Sequence, residues 1–304
     1  MQPSGKYIVA GVDGSETSLG AARWAASFAR ALGLPVHLVH SSPAPGPMPD
    51  AACTPAELAE KQREYQTELL TTAEASLRQW APEVELKLVA DTESPAKGLV
   101  EAAAQGAMIV LGATGAGSVE RWLLGSTALR VANNAHCPVA IWRGDPDNAA
   151  LDNRPIVVGT DGSPASEAAT DLAFEWAQLL SVTVVPLRTW TDSSVVGAAM
   201  PTAMQLLGPT GLMVDWEAIA RAEAETLSKI IAPYLKQYPD AVVQPLSRRG
   251  SAARELLHAL DDAQMAIVGS RGWGRFRGAL LGSTSQNLLH RADRPIVIYR
   301  TTDT

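Results

Sequence analysis

Sulfur and imidazole are scarce in this chain. Its two cysteines, Cys53 and Cys137, are too few for a disulfide framework. Its five histidines, His37, His40, His136, His258 and His290, show no H-x-x-x-H spacing, and no C-x-x-C pair occurs, so neither a structural metal site nor a thiol redox motif is expected. An excess of positive charge is also missing. The formal net charge is −7, which argues against nucleic acid or an anionic membrane as partner, because both need a basic surface. No apolar run approaches the ~20 residues of a membrane span. The first residues run into a strand-like segment without a charged-then-apolar signal pattern, so a soluble cytoplasmic protein is expected. The common catalytic and phosphate motifs fail too. There is no G-x-x-x-x-G-K-[ST], no complete G-x-G-x-x-G and no G-x-S-x-G elbow, and no nucleophile, base and orienter assemble from the sequence.

What is present is a repeat. With 304 residues, 46% of them hydrophobic, the chain suggests about two domains, each able to build a core. Residues 7–15, YIVAGVDGS, recur as PIVVGTDGS at 155–163, an offset of 148 that places Gly11 on Gly159, Asp13 on Asp161 and Gly14 on Gly162. Residues 109–127 recur at 266–284, and CPVAIWR at 137–143 recurs as RPIVIYR at 294–300, both at an offset of 157. The nine additional residues of the second copy belong in a surface loop, where length costs little. The junction, residues 144–155, is polar and carries two prolines. This reading sets domain 1 at residues 1–145 and domain 2 at 153–304.

Within each copy, apolar runs of four to six residues alternate with helical patterns, which implies βαβ units around a parallel sheet. The runs fall at 7–12, 36–40, 85–89, 108–111 and 139–142, then at 156–160, 183–187, 242–246, 266–268 and 296–299. A first helix over 15–31 sets Trp24, Phe28 and Leu32 on one stripe. Its partner sets Leu172, Trp176 and Leu180, and these aromatics read as core. Long second helices cover 55–80 and 215–238. Third helices start at Ser94, with Pro95 behind it, and at Ser251, both serines reading as N-caps. Fourth helices open at Gly125-Ser126 and Gly282-Ser283. The expected fold is α/β, two tandem Rossmann-like domains of five parallel strands with helices on both faces. The segments 41–55 and 191–213 are Pro/Gly-interrupted and long enough to be lids or partner-binding loops.

Ligands in open α/β sheets sit beyond the carboxyl ends of the strands. Two features converge there in each copy, the DGS turn after strand 1 and the loop after strand 4. That loop reads Gly112-x2-Gly115-x9-Gly125-Ser126, and again Gly269-x2-Gly272-x9-Gly282-Ser283. Glycines let backbone N–H groups approach an anion, and a helix opening adds unpaired N–H groups and its dipole. Ser126 and Thr127, with Ser283 and Thr284, add hydroxyl donors. A phosphate cradle of neutral groups follows. Asp13 and Asp161, at the end of strand 1, can take a ribose hydroxyl or hold Mg²⁺, or they can serve an Asx-turn. Arg271, Arg275 and Arg277 can steady phosphates or form a solvated rim; the first copy has only Arg121 there.

At these residues the chain resembles the universal stress protein family in the tandem form typical of actinobacteria. The resemblance covers nearly the whole chain. It implies an adenine nucleotide α-hydrolase-like fold with strand order 3-2-1-4-5, and ATP, with Mg²⁺, between the strand-1 aspartate and the glycine loop. It further implies backbone contact to adenine at Ser41 and Thr189, where the family often has a small apolar residue. Glu93 stands where the second copy has Gly250, so an acidic side chain near the phosphates predicts a poorer first site. Fifth strands pair in the family, so 139–142 and 296–299 are expected to meet within one chain, and a homodimer is implied. The function implied is nucleotide-dependent regulation of stress or dormancy with at most weak ATP hydrolysis. A slow ATPase or nucleotidyl-transferring enzyme of the same fold, or a nucleotide-free scaffold, are the alternatives.

Overall fold

The computed structural model describes residues 5–43, 54–115, 124–191, 215–272 and 281–300. Arg121, Arg275, Arg277 and most of the two Pro/Gly-rich loops lie outside them. The chain divides into two compact units. The first holds the chain through Asp152 together with the segment from Leu289 onward. The second starts at Asn153 and includes Gly282–Leu288.

The first unit runs β1 (Ile8–Gly11), α1 (Glu16–Leu32), β2 (Val36–Ser41), α2 (Pro55–Trp80), β3 (Leu86–Asp91), α3 (Pro95–Ala102), β4 (Met108–Gly112), α4 (Ser126–Asn134) and β5 (Val139–Trp142). The strands β1–β5 lie parallel in the order 3-2-1-4-5. Ile8, Val9 and Ala10 of the central strand are wholly buried, as helices on both faces require. The last strand of the chain, β10 (Ile296–Tyr299), belongs to this unit and runs antiparallel along β5, Val297 facing Ala140.

The second unit repeats the order 3-2-1-4 with β6 (Ile156–Gly159), β7 (Val184–Trp190), β8 (Leu246–Arg249) and β9 (Met265–Gly269). Between them lie α5 (Pro164–Leu180), α6 (Trp216–Gln237) and α7 (Ala252–Leu260); α8 (Ser283–Arg291) follows β9. The α/β architecture and its strand order are those expected.

Local chemistry sets the helix ends. Ser15 accepts a hydrogen bond from the Ser18 N–H to open α1, and Gly33, at φ 65°, closes it in the left-handed region. Thr54 and Glu57 form a reciprocal capping box at α2. Trp24, Phe28 and Trp176 are buried, so the aromatic stripes are core. Among the described residues no helix is long and apolar enough to cross a membrane.

Three local expectations need correction. The third strand of the second copy is Leu246–Arg249, not 242–246; Val243 makes only a single bridge to Val184, and Val242 is 65% exposed. Pro245 interrupts that earlier stretch, because it has no N–H to give a ladder. The third strands are also not covered on both faces: β3 is largely exposed or half-buried along its length. Finally, Ser94 and Ser251 occupy the N-cap positions of α3 and α7, but neither side chain bonds the first turn.

Candidate functional site

The DGS turn closes on its own aspartate in both units. Ser15 donates from its N–H (3.1 Å) and its hydroxyl (2.6 Å) to Asp13 Oδ1, and the Ser163 N–H donates to Asp161 Oδ1 at 2.9 Å. Gly14 at φ 83° and Gly162 at φ 78° supply the left-handed residue the turn needs. The Asx-turn is therefore real. It fixes Oδ1 and leaves Oδ2 on the side of the glycine loop, since a Cβ placed on Gly115 would sit 2.6 Å from Asp13 Oδ2. A Cβ on Gly272 would strike Asp161 Oδ2 in the same way.

The loop after β4 returns to its own strand through the Gly125 N–H, which donates to the Ala113 carbonyl at 2.7 Å. In the second unit Gly282 donates to Ser270 at 2.8 Å. Gly125 and Gly282 accept the first helical bonds, from Leu129 and Gln286, so each is an N-cap residue. Glycine has no side chain to cap with. The opening N–H groups of α4 and α8 are thus left without a side-chain acceptor from the cap, and the first residues of each helix line the same cleft as the aspartate.

Each arrangement lines a cleft. The first, about 480 Å³, brings together Asp13, Ser41, Gly112, Gly115, Gly125, Ser126 and Thr127. The second, about 310 Å³, brings together Asp161, Thr189, Gly269, Gly272, Gly282, Ser283 and Thr284. These fourteen residues, read from the sequence as nucleotide-binding positions, sit around the two clefts, and Arg271 lines the second as well. The start of α3 closes the first with Pro95 and Leu99, and the start of α7 closes the second with Ala252 and Leu256.

A glycine loop, an aspartate ending the first strand, and a duplicated 3-2-1-4 sheet core are thus on one scaffold. The universal stress protein family model matches residues 6–143 and again 152–300. The chain belongs to the universal stress protein family. A universal stress protein of Mycolicibacterium smegmatis is 34% identical over 309 residues, covering 96% of each chain. Another, of Mycobacterium tuberculosis, is 33% identical over 303 residues, again 96% of each. Among solved structures, a universal stress protein from Archaeoglobus fulgidus superposes with a TM-score of 0.64 over 98% of this chain and 97% of that one, at 18% identity, a likeness of fold.

Within this universal stress protein frame, several lining residues escaped the sequence reading. His40 is buried, and its Nδ1 lies 2.7 Å from the Val12 carbonyl at the floor of the first cleft. In the second unit the register puts Arg188 at that station, outside the lining of the cleft, its guanidinium 3.4 Å from the Asp161 carbonyl and paired with Glu223 at 2.8 Å. Thr160, only 4% exposed, lines the second cleft where the first has Val12, and its hydroxyl has no hydrogen-bond partner among the described residues. A single threonine within an apolar run carries no signal of its own in a sequence. Glu93 does not face the phosphate cradle as expected. Its carboxylate pairs with Lys97 at 3.0 Å and is absent from the lining of the first cleft. Ser41 keeps its backbone at the cleft while its hydroxyl donates to Asp91 Oδ2 and to the Glu93 carbonyl. Away from the clefts, burial pushes the Cys137 thiol up to about 11, which leaves it protonated at neutral pH.

Among the described residues no group of three or more His, Cys, Asp or Glu side chains could hold a metal ion. The single carboxylate in each cleft suits a cation that arrives with its own oxygen ligands.

Proposed function

We propose that this universal stress protein binds ATP in both clefts and that nucleotide occupancy governs its regulatory state. One observation carries the reading: twice in the chain a helix opens behind a glycine cap, opposite a strand-end aspartate, with a glycine between them where a Cβ would crowd the aspartate's Oδ2. The N–H groups at the starts of α4 and α8, with the hydroxyls of Ser126, Thr127, Ser283 and Thr284, would hold the phosphoryl oxygens. The second oxygens of Asp13 and Asp161 would receive the ribose hydroxyls, and the backbones of Ser41 and Thr189 the adenine edge. Mg²⁺ would ride on the phosphates, because it keeps most of its water and needs only one or two carboxylates from the protein. A homodimer and the domain boundaries 1–145 and 153–304 complete the proposal.

The test is a double substitution. Gly115→Val with Gly272→Val puts bulk into both cradles while leaving every sheet residue untouched. Calorimetric titration with Mg·ATP is expected to show no binding, with the circular dichroism and melting curve of the parent retained. Undiminished ATP affinity in that variant would overturn the reading.

A further inference from the structure

The two clefts share a backbone and differ in charge. Asp91, at the end of β3, holds Ser41 at the edge of the first cleft. Registering β3 against β2 and β8 against β7 puts Arg248 at the corresponding place, opposite Thr189, with Arg249 beside it. Arg249 is held in position by stacking on Trp216, its guanidinium carbon 4.1 Å from the ring centroid, and on Trp190 at 5.9 Å. Inside the glycine loop the first cleft has Thr114 where the second has Arg271, and both line their clefts. At the end of the third strand the first unit has Asp91 and the second Arg248, while Arg249 alternates to the other face of β8; inside the loop, beside the cradle, only the second unit has a guanidinium, Arg271.

We infer that the second cleft is the polyphosphate site and the first a site for less highly charged adenine ligands. The inference rests on the ATP reading above and assigns its two halves different ligands. Each added phosphoryl group brings negative charge, and a guanidinium beside the loop meets it with charge-assisted hydrogen bonds. In the first cleft Thr114 stands at that place in the loop and offers no charge to the added phosphoryl groups. Both clefts keep the neutral cradle, so both admit a single phosphate; they diverge as the chain of phosphates lengthens.

Single-cleft proteins separate the two sites. Gly115→Val leaves the second cleft, and Gly272→Val leaves the first. Each is titrated with AMP, ADP and ATP by calorimetry at low and moderate salt. The Gly115→Val protein is expected to prefer ATP over AMP by about tenfold more than the Gly272→Val protein does, and to lose that preference more steeply with salt. Adding Arg271→Thr to the Gly115→Val protein should shrink its ATP-to-AMP ratio by about tenfold. Adding Thr114→Arg to the Gly272→Val protein should raise that ratio. Equal ratios and equal salt dependence in the two single-cleft proteins would overturn this inference and leave the ATP reading standing. Absence of any adenine nucleotide from both would overturn the two together.

Discussion

The two halves of this chain perform the same local construction with different residues at the same stations. Position 33 of the first unit is Gly33, and position 181 of the second is Ser181; both close the first helix of their unit in the left-handed region, at φ 65° and φ 55°. Gly20 of α1 lies so close to the indole of Trp142 that a Cβ there would collide with the ring. In the second half those stations carry Ala168 and Tyr299. Val12 and Thr160 differ by a hydroxyl at the floor of the cleft. The two halves share a backbone path and differ in the side chains at these stations.

This comparison can be broken at three stations. The largest effect is expected at Gly20→Ala, which overpacks the face of Trp142 and should lower stability by about 1–3 kcal/mol, read as an earlier denaturant midpoint at unchanged slope. The converse change, Ala168→Gly, should cost only helix propensity, roughly 1 kcal/mol. A null effect at Gly20 would mean that the helix and the ring separate easily. Next comes Thr160→Val, which makes the second cleft resemble the first. Ligand-free stability should hold or rise, because a buried hydroxyl without a partner is removed, while ATP affinity at the second cleft should fall about fivefold. A clear loss of ligand-free stability would show that the hydroxyl already has a partner. The smallest effect is expected at Ser181→Gly, which relieves a left-handed serine and should add about 0.5–1 kcal/mol; Gly33→Ser should cost a similar amount. A thermal melt of each variant checks the sign.

Much of this could be read from the residues alone. Alternating apolar runs and capping signals place the helices because helix ends are local chemistry: Ser15, Thr54 with Glu57, and Gly33 act within one turn. The cradle is legible for a different reason, since the same glycine spacing occurs twice on the same element. The third strands were the hardest to place. They have one neighbour within their unit and half-exposed faces, so β8, with sequence LSRR, carries no apolar run to mark it. The direction of a long side chain was equally hidden. Glu93 is in the loop expected, yet its carboxylate pairs with Lys97, four residues on, and does not line the cleft. The exchange of Asp91 for Arg248 is set by strand register, which puts each opposite the strand-2 residue beside the cleft.

The central claim is that bare peptide groups at two helix starts hold the phosphates of one nucleotide each. Amide resonances of isotope-labelled protein, followed through a titration with Mg·ATP, test it most directly. The account predicts that the N–H signals of Ser126, Thr127, Ser283 and Thr284 shift together with those of Gly115 and Gly272, the second set at lower ATP concentration. If ATP binds while those signals stay where they were, the phosphates are held elsewhere and the account is wrong.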